Sequence, residues 1–115
     1  MSINIFGTME IMEVMENFLE MKRPPENIRH QLDLGYKIEN QSIIIYEIRP
    51  AFHNPSEKIE CPVAKTTFVK SKNHWKVFWM RGDLKWHQYG PKPVVKTLKA
   101  FTKLVEEDEY SCFWG

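Results

Sequence analysis

The residues Asp33, Glu47, Arg49 and Lys65 suggest chemistry first. Glu47 and Arg49 stand two apart in IIIYEIRP, so on a strand their side chains share a face. An aspartate upstream, a glutamate on a strand and a cation on a later strand outline a metal-dependent nuclease core, where carboxylates hold an ion that activates water. Such a core wants lysine two residues after the glutamate, and this chain has Arg49 there. An ordinary ion pair at a sheet edge explains the same residues, and motif matches without structural context are frequent accidents. His53, Cys61, His87 and Cys112 are the other potential metal ligands. No two of them stand at the spacing of a zinc site, so no metal and no cofactor is expected. Neither cysteine has the local signature of a nucleophile, and no glycine-rich phosphate loop is present.

A second group mixes cations with aromatics: Lys65, Lys76, Phe78, Lys85, His87 and Tyr89. It depends on the stretch WKVFWMRGDLKWHQY, Trp75 to Tyr89, which holds three of the four tryptophans. This stretch reads as two strands joined at Gly82-Asp83, because glycine at the first central position suits a type II′ turn. That turn sets Arg81 opposite Leu84, Trp79 opposite Trp86 and Val77 opposite Gln88 on one face. Met80 with Lys85, Phe78 with His87 and Lys76 with Tyr89 then share the other face. A Trp79–Trp86 pair would mark the centre of the core, each ring contributing on the order of 4–6 kcal/mol gross when buried. A preceding strand, Val63 to Lys70, turns at Lys72-Asn73 and adds Ala64, Thr66 and Phe68 to the tryptophan face, Lys65 and Thr67 to the other. Basic side chains interleaved with aromatics on an open sheet suit single-stranded nucleic acid, through phosphate contact and base stacking. The row Lys92, Lys96, Lys99, Lys103 would extend such a surface. An ordinary solvated face, or one covered by the C-terminal tail, is the plain alternative. A protein partner on the proline-rich loop or the methionine-rich first helix is a third.

The elements that must position these residues follow from pattern. Residues 1–7 read as a loose lead-in. Thr8 can cap a helix whose inward face is Ile11, Met12, Met15, Phe18 and Leu19, ended by Pro24-Pro25. Pro25 can start a second short helix, with Ile28 and Leu32 inward, ending by Gly35. A hairpin comes next: Leu34 to Ile38, a turn at Glu39-Asn40, then Gln41 to Arg49. Ile43-Ile44-Ile45-Tyr46 is apolar on both faces and suits a central strand. Residues 50–62 form the longest irregular stretch, with three prolines. The last helix spans about residues 93–106, with Val94, Leu98, Phe101 and Val105 inward, and its basic-then-acidic order opposes the macrodipole. Phe113 and Trp114, near the end of the tail 110–115, are expected to pack back on the domain.

With 115 residues the chain has the size of a single domain, able to bury a core without staples. A net charge of +1 excludes strong global attraction to nucleic acid or membrane and leaves only a local patch. There is no membrane-length apolar run and no leader-like segment, so a cytoplasmic protein with reduced thiols is expected. The fold class is α+β: an antiparallel meander of about five strands with N-terminal helices and one C-terminal helix.

Several motifs together, RPPENIR, QLDLGY, YEIRP, PSEKIECPVAK, the pattern W-x-x-x-W-x-R-x-D-L-K-W-H-x-Y and the closing DEYSCFWG, are specific. From Arg23 to Gly115 the chain resembles a bacterial family of short proteins catalogued as domain of unknown function 3024. The resemblance implies a small bacterial protein and carries no activity, ligand or catalytic residue with it. The function class expected from the residues is a binding or accessory domain.

Overall fold

The computed structural model describes residues 5–114. Helix α1 spans Ile5–Lys22 and turns Ile11, Met15 and Phe18 into the core. The lead-in expected over residues 1–7 lies outside the described residues for 1–4, and residues 5–7 are already helical. Thr8 is therefore inside α1 rather than at its cap. Met12, expected inward, sits at the edge of the apolar stripe and is exposed. Pro24-Pro25 stops the helix, and the second helix expected after it is only a single 3-10 turn, Glu26–Ile28, with Ile28 exposed.

Six strands form one antiparallel sheet: β1 Asp33–Glu39, β2 Ser42–Pro50, β3 Lys58–Val69, β4 His74–Met80, β5 Trp86–Gln88 and β6 Val94–Val95. Their order is β1-β2-β3-β4-β5, with β6 on the same edge of β4 as β5. Helix α2, Leu98–Glu107, follows β6. The class is α+β, as the alternation of patterns indicates. Among the described residues no helix is long and apolar enough to cross a membrane.

Each connection sets a register. Asn40 adopts φ 53° in the β1–β2 turn, which asparagine tolerates, and Ile38 faces Ile43. The irregular stretch expected over 50–62 shrinks to residues 51–57, because β3 begins at Lys58. That loop closes on itself: Ala51 N–H donates to Glu57 O at 2.9 Å, and Glu57 N–H to Asn54 O at 2.9 Å. Pro62 is accommodated inside β3 at a bulge, where the register jumps from Ile45–Ala64 to Tyr46–Pro62. The β3–β4 connection is a 3-10 turn, Lys70–Lys72, closed by Asn73 at φ 50°. It moves the expected pairing by two residues, so Thr66 faces Val77 and Ala64 faces Trp79, and the faces are preserved.

The β4–β5 connection differs by one residue, and that reverses β5. Met80 pairs with Trp86, Trp79 with His87 and Phe78 with Gln88, leaving a five-residue loop, Arg81–Lys85, in place of a two-residue turn. Leu84 takes φ 61° there, and the Asp83 carboxylate accepts the Lys85 N–H at 3.0 Å. A one-residue slip moves every side chain of a strand to the other face. The expected Trp79–Trp86 core pair does not form. Trp79 is only partly buried, under the Arg81 guanidinium at 5.5 Å.

The core lies between the sheet and the two helices. Ile43, Ile45, Ala64, Thr66, Val77 and Tyr89 meet Met15, Phe101 and Val105, all of them buried. The helix expected from residue 93 starts later, because Val94-Val95 pairs with β4 and Thr97 caps α2 by accepting the Ala100 N–H at 3.1 Å. Asp108, at φ 41°, ends α2. Its two carboxylate oxygens accept the N–H groups of Phe113 and Trp114, each at 3.0 Å. The Trp114 indole donates to Val105 O at 2.7 Å, and the Phe113 ring lies 4.9 Å from that of Tyr89.

Tyr89 is 0% exposed, and its hydroxyl has no partner among the described residues. Burial also pushes its pKa up. Truncation, Tyr89→Ala, should cost about 3–5 kcal/mol in a denaturant titration, as loss of a large buried aromatic does. Tyr89→Phe should leave stability equal or slightly higher, because an unpaired buried hydroxyl contributes nothing. A loss above about 1 kcal/mol for Tyr89→Phe would show that the hydroxyl is bonded in solution.

Candidate functional site

Both helices and the tail pack on one face of the sheet. The other face carries a cross-strand row through five strands: Lys37, Ile44, Lys65, Phe78 and Gln88. Lys76 and Thr67 stand in the next row on one side, and Met80 with Trp86 on the other. The Lys65 ammonium lies 5.8 Å from the ring centres of both Phe78 and Trp86. The Lys37 ammonium lies 5.6 Å from the Tyr46 ring and 3.3 Å from the Glu60 carboxylate. Tyr46 can lie flat here because its cross-strand neighbour is Gly35. A Cβ on Gly35 would come within 2.8 Å of the Tyr46 ring. Ile44 is buried between the lysine-bearing strands, where aliphatic lysine stems can cover it. Phe78, Trp86 and Tyr46 keep part of their rings in solvent. The arrangement offers π surfaces flanked by ammonium groups.

Of the six residues expected to form a basic and aromatic face, the structure brings Lys65, Lys76 and Phe78 together. Lys85 is exposed in the Arg81–Lys85 loop. His87 and Tyr89 belong to the opposite side. His87 pairs with Trp79, and its Nε2 is 2.8 Å from the Asp83 carboxylate, which that contact holds below its usual pKa. Tyr89 is buried in the core and cannot meet a ligand. The reversed register of β5 is the cause, and it supplies Trp86 instead. Tyr46 and Lys37 were missed as well, although strict alternation along IIIY puts Tyr46 on the face of Ile44.

The sequence motifs resembled a known family from Arg23 onward, and the family comparison extends this through the first helix. The model described as Domain of unknown function (DUF3024) matches residues 5–115. The chain belongs to the DUF3024 family. No curated protein and no solved structure matches it.

The nuclease-like set does not converge in this DUF3024 domain. Both carboxylate oxygens of Asp33 are taken by Arg23, at 2.8 and 2.6 Å, and Asp33 Oδ1 also accepts the Leu34 N–H at 2.8 Å. Glu47 accepts from Arg49 at 3.0 Å. Glu47 faces the helix side, where it lines a shallow hollow with Lys22, Pro24, Leu32, Leu34 and Trp114, whereas Lys65 is on the open side. His53 is 3.2 Å from Glu57, and the Cys112 thiol donates to Tyr110 O at 3.8 Å. Among the described residues no three His, Cys, Asp or Glu side chains gather as a metal site.

The Arg23 hydrogen bonds hold the Asp33 pKa below the usual carboxylate range. A depressed folded pKa contributes stability above the unfolded pKa, and that contribution is lost as pH falls through the folded value. Wild type should therefore be more stable than Asp33→Asn at neutral pH, with the gap closing as pH falls below the usual carboxylate range. Urea midpoints across that pH range check this. A gap that does not change with pH would deny the ion pair a role.

Proposed function

We propose that this DUF3024 domain binds single-stranded nucleic acid across the open face of its sheet. The observation that carries the reading is the Lys65 ammonium set over Phe78 and Trp86 on a face that, among the described residues, no helix covers. Bases stack on Trp86, Phe78 and Tyr46, and Lys65 and Lys76 meet phosphates. Stacking tolerates any base, so the surface reads the presence of a single strand more than its sequence. A net charge of +1 keeps the attraction local and moderate. The thiols of Cys61 and Cys112 are free, which suits a cytoplasmic protein. A second reading rests on Phe52, fully exposed on the 51–57 loop, where an aromatic could anchor a protein partner.

Binding of a single-stranded oligonucleotide should weaken with salt, by roughly 0.7 in log K per log unit for each phosphate neutralised. Changing Lys65 and Lys76 to Gln should reduce that slope by about one to two. Trp86→Ala should cost on the order of 1–3 kcal/mol of binding. Phe52→Ala should leave binding unchanged. No binding of DNA or RNA at low salt, or full binding by Trp86→Ala, would refute the reading.

A further inference from the structure

The net charge of +1 conceals a division along the chain. From Cys61 to Val105 there are ten lysines and arginines and a single acid, Asp83. The other fourteen acids lie outside that stretch, with six lysines and arginines. In the fold the basic stretch is the larger part of β3, all of β4, β5 and β6, and most of α2. The β4 side of the sheet is therefore basic, and an asymmetry of this kind draws polyanions to one side of a molecule. On the β1 side Lys37 is already answered by Glu39 at 3.8 Å and Glu60 at 3.3 Å.

Along β4 the open face receives Met80, Phe78 and Lys76, every second residue. β5 lies beside one end of β4 and brings Trp86 to Met80. β6 lies beside the other end, with Val94 opposite Lys76 and Val95 opposite Trp75. The same register brings the next residue, Lys96, level with His74, close to the Lys70–Lys72 turn that leads into β4. Aromatic rings thus stand at one end of β4 and cations at the other. Lys72, Lys76 and Lys96 are exposed. Among the described residues no salt bridge reaches any of these three or Lys65. Like charges gathered without an acid among them repel one another, and a bound polyanion relieves that repulsion.

We infer that a bound single strand runs along β4, from the Trp86 and Phe78 rings to the Lys72/Lys96 end, rather than across the sheet to β1. The inference rests on the reading of the open face proposed above and gives that site a direction and a substrate class. Bases stack at the aromatic end. The backbone continues past Lys65 and Lys76, and its phosphates leave the domain between Lys72 and Lys96. From Met80 to His74 the path is roughly 20 Å, at about 3.4 Å per strand residue. That length takes about six nucleotides at a stacked spacing of about 3.4 Å. The substrate is therefore a strand of several nucleotides, not a free nucleotide, in keeping with the site sizes of small single-strand-binding modules.

The test is fluorescence anisotropy of labelled oligothymidylates, about three and about twelve nucleotides long, titrated with the full chain over a range of salt. The longer strand should bind wild type more tightly and with the steeper salt slope. Lys72→Gln with Lys96→Gln should weaken the longer strand by at least about fivefold and reduce its slope by about one to two. The shorter strand should bind that variant as it binds wild type, which also shows that the variant is folded. Lys37→Gln should change neither strand. A longer strand indifferent to the Lys72 and Lys96 changes would overturn the inference, and so would an equal loss for both lengths or a matching loss on Lys37→Gln. If the short strand still binds and is lost on Trp86→Ala, the open-face reading survives that failure. No binding at either length, at low salt, would end both.

Discussion

Trp79 stands opposite His87, and the character of both sheet faces follows from that pairing. The Arg81–Lys85 loop has an odd number of residues, so β5 enters the sheet turned over relative to a two-residue hairpin. Tyr89 then falls beside Val77 and is buried, donating its N–H to Val77 O at 2.8 Å. Trp86 falls beside Met80 and leaves the core. One residue more or less in that loop would exchange a buried tyrosine for a buried tryptophan and strip the open face of its largest ring.

The core built on Tyr89 also organises the C-terminal end. Its ring receives Phe113, and Phe113 is held there by Asp108, whose carboxylate gathers two backbone N–H groups that would otherwise lack partners. Asp108 does this from the left-handed conformation that ends α2. Helix termination, tail placement and the covering of Tyr89 are thus one linked set of contacts. All of it lies on one side of the sheet. Among the described residues no helix packs on the other side, and Tyr46, Phe78 and Trp86 there stay partly exposed.

Much of this architecture is legible in the chain. Helical periodicity marks Ile11, Met15 and Phe18, and Phe101 with Val105, and all of these are buried. Alternation marks the strands, and Asn40 and Asn73 mark two turns by tolerating positive φ. The registers of β1–β2 and β3–β4 differ by two residues from those that turns at Glu39-Asn40 and Lys72-Asn73 would give, an even shift that leaves the faces unchanged. The β4–β5 register was not legible because Gly82-Asp83 fits a tight turn well. The residue that takes positive φ is instead Leu84, which advertises nothing of the kind. The same error placed Tyr89 and His87 on the open face and hid Trp86. The strand character of Val94-Val95 was masked by Pro91 and Pro93 just before it, which also suit a helix start. The Asp33–Arg23 pair joins the end of a helix to the start of a strand, a contact that local pattern cannot indicate.

The most direct test of this account is the set of side-chain contacts around β5, read from nuclear Overhauser effects in isotopically labelled protein. The account predicts that the Tyr89 ring contacts Phe113 and Val77, and that the Trp86 indole contacts the Lys65 side chain and the Phe78 ring. Contacts from Tyr89 to Lys76 and from Trp86 to Trp79 would place β5 in the tight-turn register. That result would contradict both the composition of the core and that of the open face.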